Sequence, residues 1–193
     1  MAFSEPIPMV WPTDAWDGES LAASDSALWC AIKVNARCEK QVARELTDRN
    51  TPYFLCLRNT PKVYQRRRVV SQVPFFSGYV FAAGDEEQLA SLWRMRNVAA
   101  RLMPPSQPEF VHELNSLYRL MMSGAPLTLE EQLRPGDQAR IVRGSLKGLT
   151  GTVVRNCGGL RLIIGVTWLG QGVSVDVTPD MVERVRSEVI GCG

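Results

Sequence analysis

Histidine is nearly missing from this chain: His112 is the only one in 193 residues. It sits between Val111 and Glu113 in a helical pattern, and no Ser/His/Asp or Cys/His arrangement can be drawn around it. The five cysteines (Cys30, Cys38, Cys56, Cys157 and Cys192) are scattered, with no C-x-x-C pair. A zinc ribbon or disulfide scaffold needs paired, closely spaced ligands, so the thiols read as reduced and incidental, with no metal and no cofactor. An enzyme built on one of these cysteines therefore ranks last among the readings. Also missing is any apolar run near the ~18–20 residues that cross a bilayer. The first 28 residues lack Lys and Arg and any continuous apolar stretch, so they do not read as a signal peptide. The expectation is a soluble, cytoplasmic monomer that touches no membrane.

What is present is a globular composition, 45% hydrophobic and 22% charged, with room for one large domain or two small ones. The net charge of +2 conceals strong segregation: residues 1–28 carry −5, residues 29–103 +7, residues 104–132 −3 and residues 133–193 +3. Two basic blocks separated by an acidic stretch suggest two modules and a linker, either of which could approach a polyanion.

Residues 1–28, rich in Pro, Ser and acids without an apolar period, read as a flexible arm. From Trp29 the pattern is regular. Trp29–Val34 is strand-like, and Cys38–Asp48 repeats Val42, Ala43 and Leu46 on one helical face. Tyr53–Leu57 is a second strand. Lys62–Gln65 and Val69–Val73 flank Arg66-Arg67-Arg68 as an extended hairpin with a basic tip. Gly78–Ala83 is the next strand, Asp85 caps a helix over Glu86–Arg94, and Val98–Met103 is a strand stopped by Pro104-Pro105. Phe110, Val111, Leu114, Leu117, Tyr118 and Met121 then fall at helical spacing. The order predicts an α+β domain over 29–123, an antiparallel sheet flanked by helices. Residues 124–132 read as a flexible linker. Eleven of the 15 glycines lie in 133–193, among short β-branched strands, which predicts a small β-barrel over 133–187.

Two stretches carry a family resemblance. Leu133 to Val154, with its Pro-Gly-Asp opening, a strand, and Gly144, Gly148 and Gly151 before a second strand, resembles a KOW motif, the mark of a small SH3-like barrel. Upstream, Trp29-Cys-Ala-Ile-Lys-Val and Pro74-Phe-Phe-Ser-Gly-Tyr-Val-Phe81 resemble the opening strand and the aromatic signature of the NusG N-terminal domain. Together they span about residues 29–185.

The resemblance implies a transcription elongation factor of the NusG family and, through its acidic arm, Lys33 and Gln171, a specialised paralogue of the RfaH-like kind. Such a factor modulates pausing, termination or antitermination and performs no catalysis. It implies that a hydrophobic depression lined by Trp29, Ala31, Phe76, Tyr79 and Phe81 grips the clamp helices of the largest RNA polymerase subunit. Tyr79 and Phe81 share one face of a strand by alternation alone, though the same aromatics could simply be core. Ser77 stands where relatives carry proline. Asn35, Arg37, Arg44, Arg94 and Arg96 are candidates for contact with non-template DNA, since guanidinium groups suit phosphate and stack on bases. Arg66, Arg67 and Arg68 could meet a polyanion or protect a hairpin edge from mispairing. Trp168, Leu169 and Gln171 align with the barrel tip that recruits Rho or a small-subunit ribosomal protein, with Trp168 as barrel core the competing reading. A ribosome- or RNA-associated KOW protein using Arg143, Lys147 and Arg155 is the alternative function.

Overall fold

The computed structural model describes residues 7–13, 27–64, 67–130, 137–156 and 159–185. They fall into two compact units, Met1–Val111 and His112–Gly193. In the first, the elements are β1 (Val10–Trp11), β2 (Leu28–Val34), α1 (Glu39–Asp48), β3 (Tyr53–Phe54), β4 (Leu57–Tyr64), β5 (Arg67–Pro74), β6 (Tyr79–Gly84), α2 (Glu86–Ser91) and β7 (Val98–Leu102). A 3₁₀ turn, Leu92–Arg94, follows α2. The five-stranded sheet runs β1-β3-β6-β2-β7, every pair antiparallel, and β4 and β5 form a separate two-stranded ribbon.

Alternation along β2 decides what each face meets. Cys30, Ile32 and Val34 join Val42, Ala43 and Leu46 of α1 and Leu89 and Leu92 of the α2 region in one buried core. Trp29, Ala31 and Lys33 lie on the opposite face. Asp85 starts α2 as the sequence predicts, with a capping box: its carboxylate accepts from Gln88 N at 2.7 Å while Gln88 Oε1 accepts from Asp85 N at 3.1 Å.

Two expectations are corrected here. The arm does not lack structure throughout: Ile7 and Val10 are buried, Leu55 N donates to Met9 O at 2.7 Å, and β1 pairs with β3. Without β1 the β3 edge would be bare, and a Pro-rich acidic composition hides so short a strand from periodicity. Within the expected linker, residues 127–130 likewise join a sheet. β8 (Leu127–Glu130) pairs with a later strand, and its Leu-Thr-Leu-Glu alternation is too short to read without that partner.

Helix α3 (Gln107–Met122) begins in the first unit and continues into the second. The second unit adds β8, β9 (Asp137–Ile141), β10 (Thr150–Asn156), β11 (Gly159–Val166), β12 (Gln171–Val177) and β13 (Val182–Arg184). They form a six-stranded antiparallel sheet in the order β13-β9-β10-β11-β12-β8, with Ile141, Leu162, Ile164, Val166 and Val173 buried. Between β9 and β10 the chain reverses tightly: Gly148 N donates to Ile141 O at 2.7 Å and Ile141 N to Leu149 O at 2.8 Å. Gly144 and Gly148 sit at φ 85° and 90°, which a side chain would resist.

Candidate docking and nucleic-acid surfaces

The aromatic signature is assembled by a turn between β5 and β6. Phe75 N donates to Cys56 O at 2.8 Å, Tyr79 N to Phe76 O at 3.1 Å, and Val34 N to Gly78 O at 2.8 Å. The carboxylate of Glu39, in the first turn of α1 and only 6% exposed, accepts from Gly78 N at 2.7 Å. It ties the turn to the helix. Sequence reasoning missed Glu39, because an acid at a helix start ordinarily reads as a solvated charge near the positive dipole end.

The turn brings Phe76 and Phe81 together edge-on at 5.8 Å between ring centroids, and Phe81 also meets Phe54 at 6.1 Å and Phe110 of α3 at 5.7 Å. Trp29, Ala31, Phe76 and Phe81 are consequently sealed, at 2%, 0%, 1% and 1% exposure. The expected open hollow is corrected on this point: among the described residues these rings form a closed cluster, because Phe110 fills the space above Phe81. The part of the face that stays accessible lies at its other end, where half-buried Tyr79 pairs with exposed Lys33.

Gln107, also missed, holds α3 in place. Trp29 pairs with Ala83 of β6 on one side, but the β2–β7 pairing begins at Ala31 opposite Leu102, so its main chain has no strand partner on the β7 side. The Gln107 side chain replaces it, accepting from Trp29 N at 2.9 Å and donating to Trp29 O at 2.8 Å. The Trp29 indole Nε1 is buried with no hydrogen-bond partner among the described residues. Buried indole N–H groups normally find one.

Of the expected nucleic-acid residues, the fold gathers two loops. Asn35 N donates to Asn97 O at 2.9 Å, which sets the β2–α1 turn, with exposed Asn35 and Arg37, beside the segment after α2, with exposed Arg94 and Arg96. Arg44 is exposed too, further along α1. The backbones of Arg67 and Arg68 lie on β5 opposite Tyr64 and Val63, while Arg66 lies outside the described residues.

In the second unit, Trp168 and Leu169 sit on a 3₁₀ turn, Thr167–Leu169, between β11 and β12. Both are half-buried, as is Gln171 opposite Val166. Thr167 N donates to Glu113 Oε1 of α3 at 2.9 Å. Among the described residues no group of His, Cys, Asp or Glu could hold a metal ion. Burial pushes the Cys30 thiol up to about 12 and raises Cys56 as well, so neither offers a thiolate near neutral pH.

The family model described as transcription termination factor NusG matches residues 27–132, more than half of the chain. The chain belongs to the NusG family. Its relation to solved structures is distant. It is similar to the Thermotoga maritima NusG of a domain-interaction study (16% identity, 83% of this chain and 98% of that one covered, TM-score 0.44). It is similar as well to a chain of the MjSpt4:Spt5 complex in conformation B (16% identity, 83% and 98% covered, TM-score 0.28). No curated protein matches the chain in sequence. The family is one of transcription factors, and its matched segment contains the aromatic face and the basic loops described above. No helix among the described residues is long and apolar enough to cross a membrane.

Proposed function

We propose that this protein is a transcription elongation factor that docks on RNA polymerase through the aromatic face of β2 and β6 and modulates pausing and termination. The observation that carries the reading is the family match over residues 27–132, a range that includes these residues. Tyr79 and Lys33 supply the accessible part of the contact with the clamp helices, and Trp29, Ala31, Phe76 and Phe81 shape it from beneath. Direct contact with those four requires the first turn of α3 to lift from the sheet. The unpartnered indole N–H of Trp29 is consistent with a face that meets another surface in use. Asn35, Arg37, Arg44, Arg94 and Arg96 serve the nucleic acid of the transcription complex, and the arginines of 66–68 add positive charge. The glycine-rich unit is a KOW barrel in which Trp168, Leu169 and Gln171 meet a second partner, a small-subunit ribosomal protein or Rho. The factor is cytoplasmic, monomeric and without catalytic activity.

Recovery on immobilised RNA polymerase tests the docking. Tyr79→Ala is the informative variant, because Phe81→Ala removes a buried ring at a cost of about 3–5 kcal/mol and blurs binding with folding. The native chain is expected to be retained and Tyr79→Ala to be retained about tenfold less, as for a central interface aromatic. Absence of native retention at low salt would overturn the reading.

A further inference from the structure

Phe76 and Tyr79 are the two ends of one four-residue turn, closed by the bond from Tyr79 N to Phe76 O at 3.1 Å. Phe76 is sealed and Tyr79 half-buried, so the turn decides how a covered ring and an accessible one are set against each other. Gly78, its third residue, holds φ 82°, the value of a type II turn. Types I and II close with the same end-to-end bond and differ in the middle peptide, here Ser77–Gly78, which is flipped between them. Whatever holds that peptide selects the form.

The group that holds it is Glu39. Its carboxylate accepts from Gly78 N at 2.7 Å, and the residue is only 6% exposed. A buried carboxylate is costly unless it is hydrogen-bonded, so Glu39 is committed to this contact. It stands in the first turn of α1, where the N-cap residue Cys38 makes no side-chain cap bond. The helix is a firm base, because Val42, Ala43 and Leu46 are all buried in the core. On the other side Gly78 O accepts from Val34 N at 2.8 Å, next to exposed Lys33, which pairs with Tyr79. Both main-chain polar groups of Gly78 are therefore tied, one to α1 and one to β2.

The turn itself supplies little of this restraint. Proline at its second position presets φ, whereas exposed Ser77 does not. Glycine tolerates the conformation without imposing it, since it populates both signs of φ. We infer that Glu39 is a positioning residue for docking: by holding Gly78 N it selects the type II form and so aims Tyr79 and Lys33. The inference rests on the polymerase reading for what those two side chains meet.

Two measurements test it, one on the turn and one on docking. A type II turn places the Ser77 Hα close to the Gly78 amide proton, whereas type I places the two amide protons together. Proton NMR contacts of the native chain are expected to show the first pattern, and those of Glu39→Ala a shift toward the second. On immobilised polymerase, Glu39→Ala is expected to be retained about fivefold less than the native chain, as for the loss of one hydrogen bond. Glu39→Gln, which keeps an acceptor oxygen, should fall between the two. Ser77→Pro added to Glu39→Ala presets the turn and should restore most of the retention. On the Tyr79→Ala background, Glu39→Ala should cost little more, because a residue that acts through Tyr79 has lost most of what it aims. A merely structural Glu39 would multiply with Tyr79→Ala and ignore Ser77→Pro. Unchanged proton contacts in Glu39→Ala overturn the inference. So does native retention of Glu39→Ala, full multiplication with Tyr79→Ala, or no rescue by Ser77→Pro. If the native chain itself is not retained, the docking reading falls, and the proton contacts show separately whether Glu39 selects the turn.

Discussion

At the scale of single residues, Glu39 shows how a polar group can organise an apolar face. Its carboxylate holds Gly78 N, and Gly78 O in turn receives Val34 N, so one buried acid links α1, β2 and the turn before β6. Hydrogen bonds to charged groups are worth about 1.5–3 kcal/mol, so Glu39→Ala should lower unfolding free energy by about 2 kcal/mol in urea denaturation, with Glu39→Gln between it and the native chain. The buried thiols and phenol make a second test. Desolvation raises Cys30 from 9.0 to about 12 and moves Cys56 and Tyr53 in the same direction. Below about pH 8 both folded and unfolded chains keep these protons and the groups add no pH dependence. As the pH rises from about 9 toward 12, the unfolded chain releases protons that the folded chain retains, so stability falls. The urea midpoint should therefore drop steadily over that window, and an unchanged midpoint would contradict the burial of these groups. The identities of Trp29, Phe76, Tyr79 and Phe81 were legible in the sequence as an aromatic signature. That Phe76 and Phe81 lie sealed and Tyr79 half-open was not, because Phe110 comes from a distant helix.

At the scale of elements, patterns with their own local signal were readable and those completed by a partner were not. α1 announces itself through Val42, Ala43 and Leu46, α2 through Asp85, and β6 through its apolar run. β1 and β8 span only Val10–Trp11 and Leu127–Glu130, and become strands through hydrogen bonds to β3 and β12 far along the chain. In the second unit the glycines also work by closeness. A Cβ at Gly151 would collide with the main-chain oxygen of Ile163 across the β10–β11 pair, and one at Gly165 with that of Gln171 across β11–β12. Neither main-chain oxygen can move without breaking its ladder, so Gly151→Ala should destabilise this unit by about 3 kcal/mol, read as an earlier loss of strand signal in thermal circular dichroism. An unchanged melt would mean that the sheet can shift there.

At the scale of the whole molecule, the acidic N-terminal stretch has a structural share in the first unit. Ile7 and Val10 are buried, Tyr53 Oη donates to Pro8 O at 3.3 Å, and Gln72 exchanges hydrogen bonds with the Ile7 main chain at 3.3 and 3.4 Å. Deleting residues 1–12 should cost about 3 kcal/mol or more, given the apolar burial lost and the β3 edge exposed, and a lowered urea midpoint checks this. Equal stability of the shortened chain would show β1 to be dispensable.

Sequence alone determined the family of the protein, which the aromatic signature and the match over residues 27–132 both give. Periodicity and capping chemistry are local, so most helices and strands of the first unit were readable from neighbours along the chain. Tertiary structure decided which side chains face solvent. Coverage depends on residues distant in sequence: Phe110 closes over Phe81, Gln107 takes over from β7 at Trp29, and buried Leu92 and Met95 turn Trp93 outward. No local pattern encodes what will lie on top of a ring.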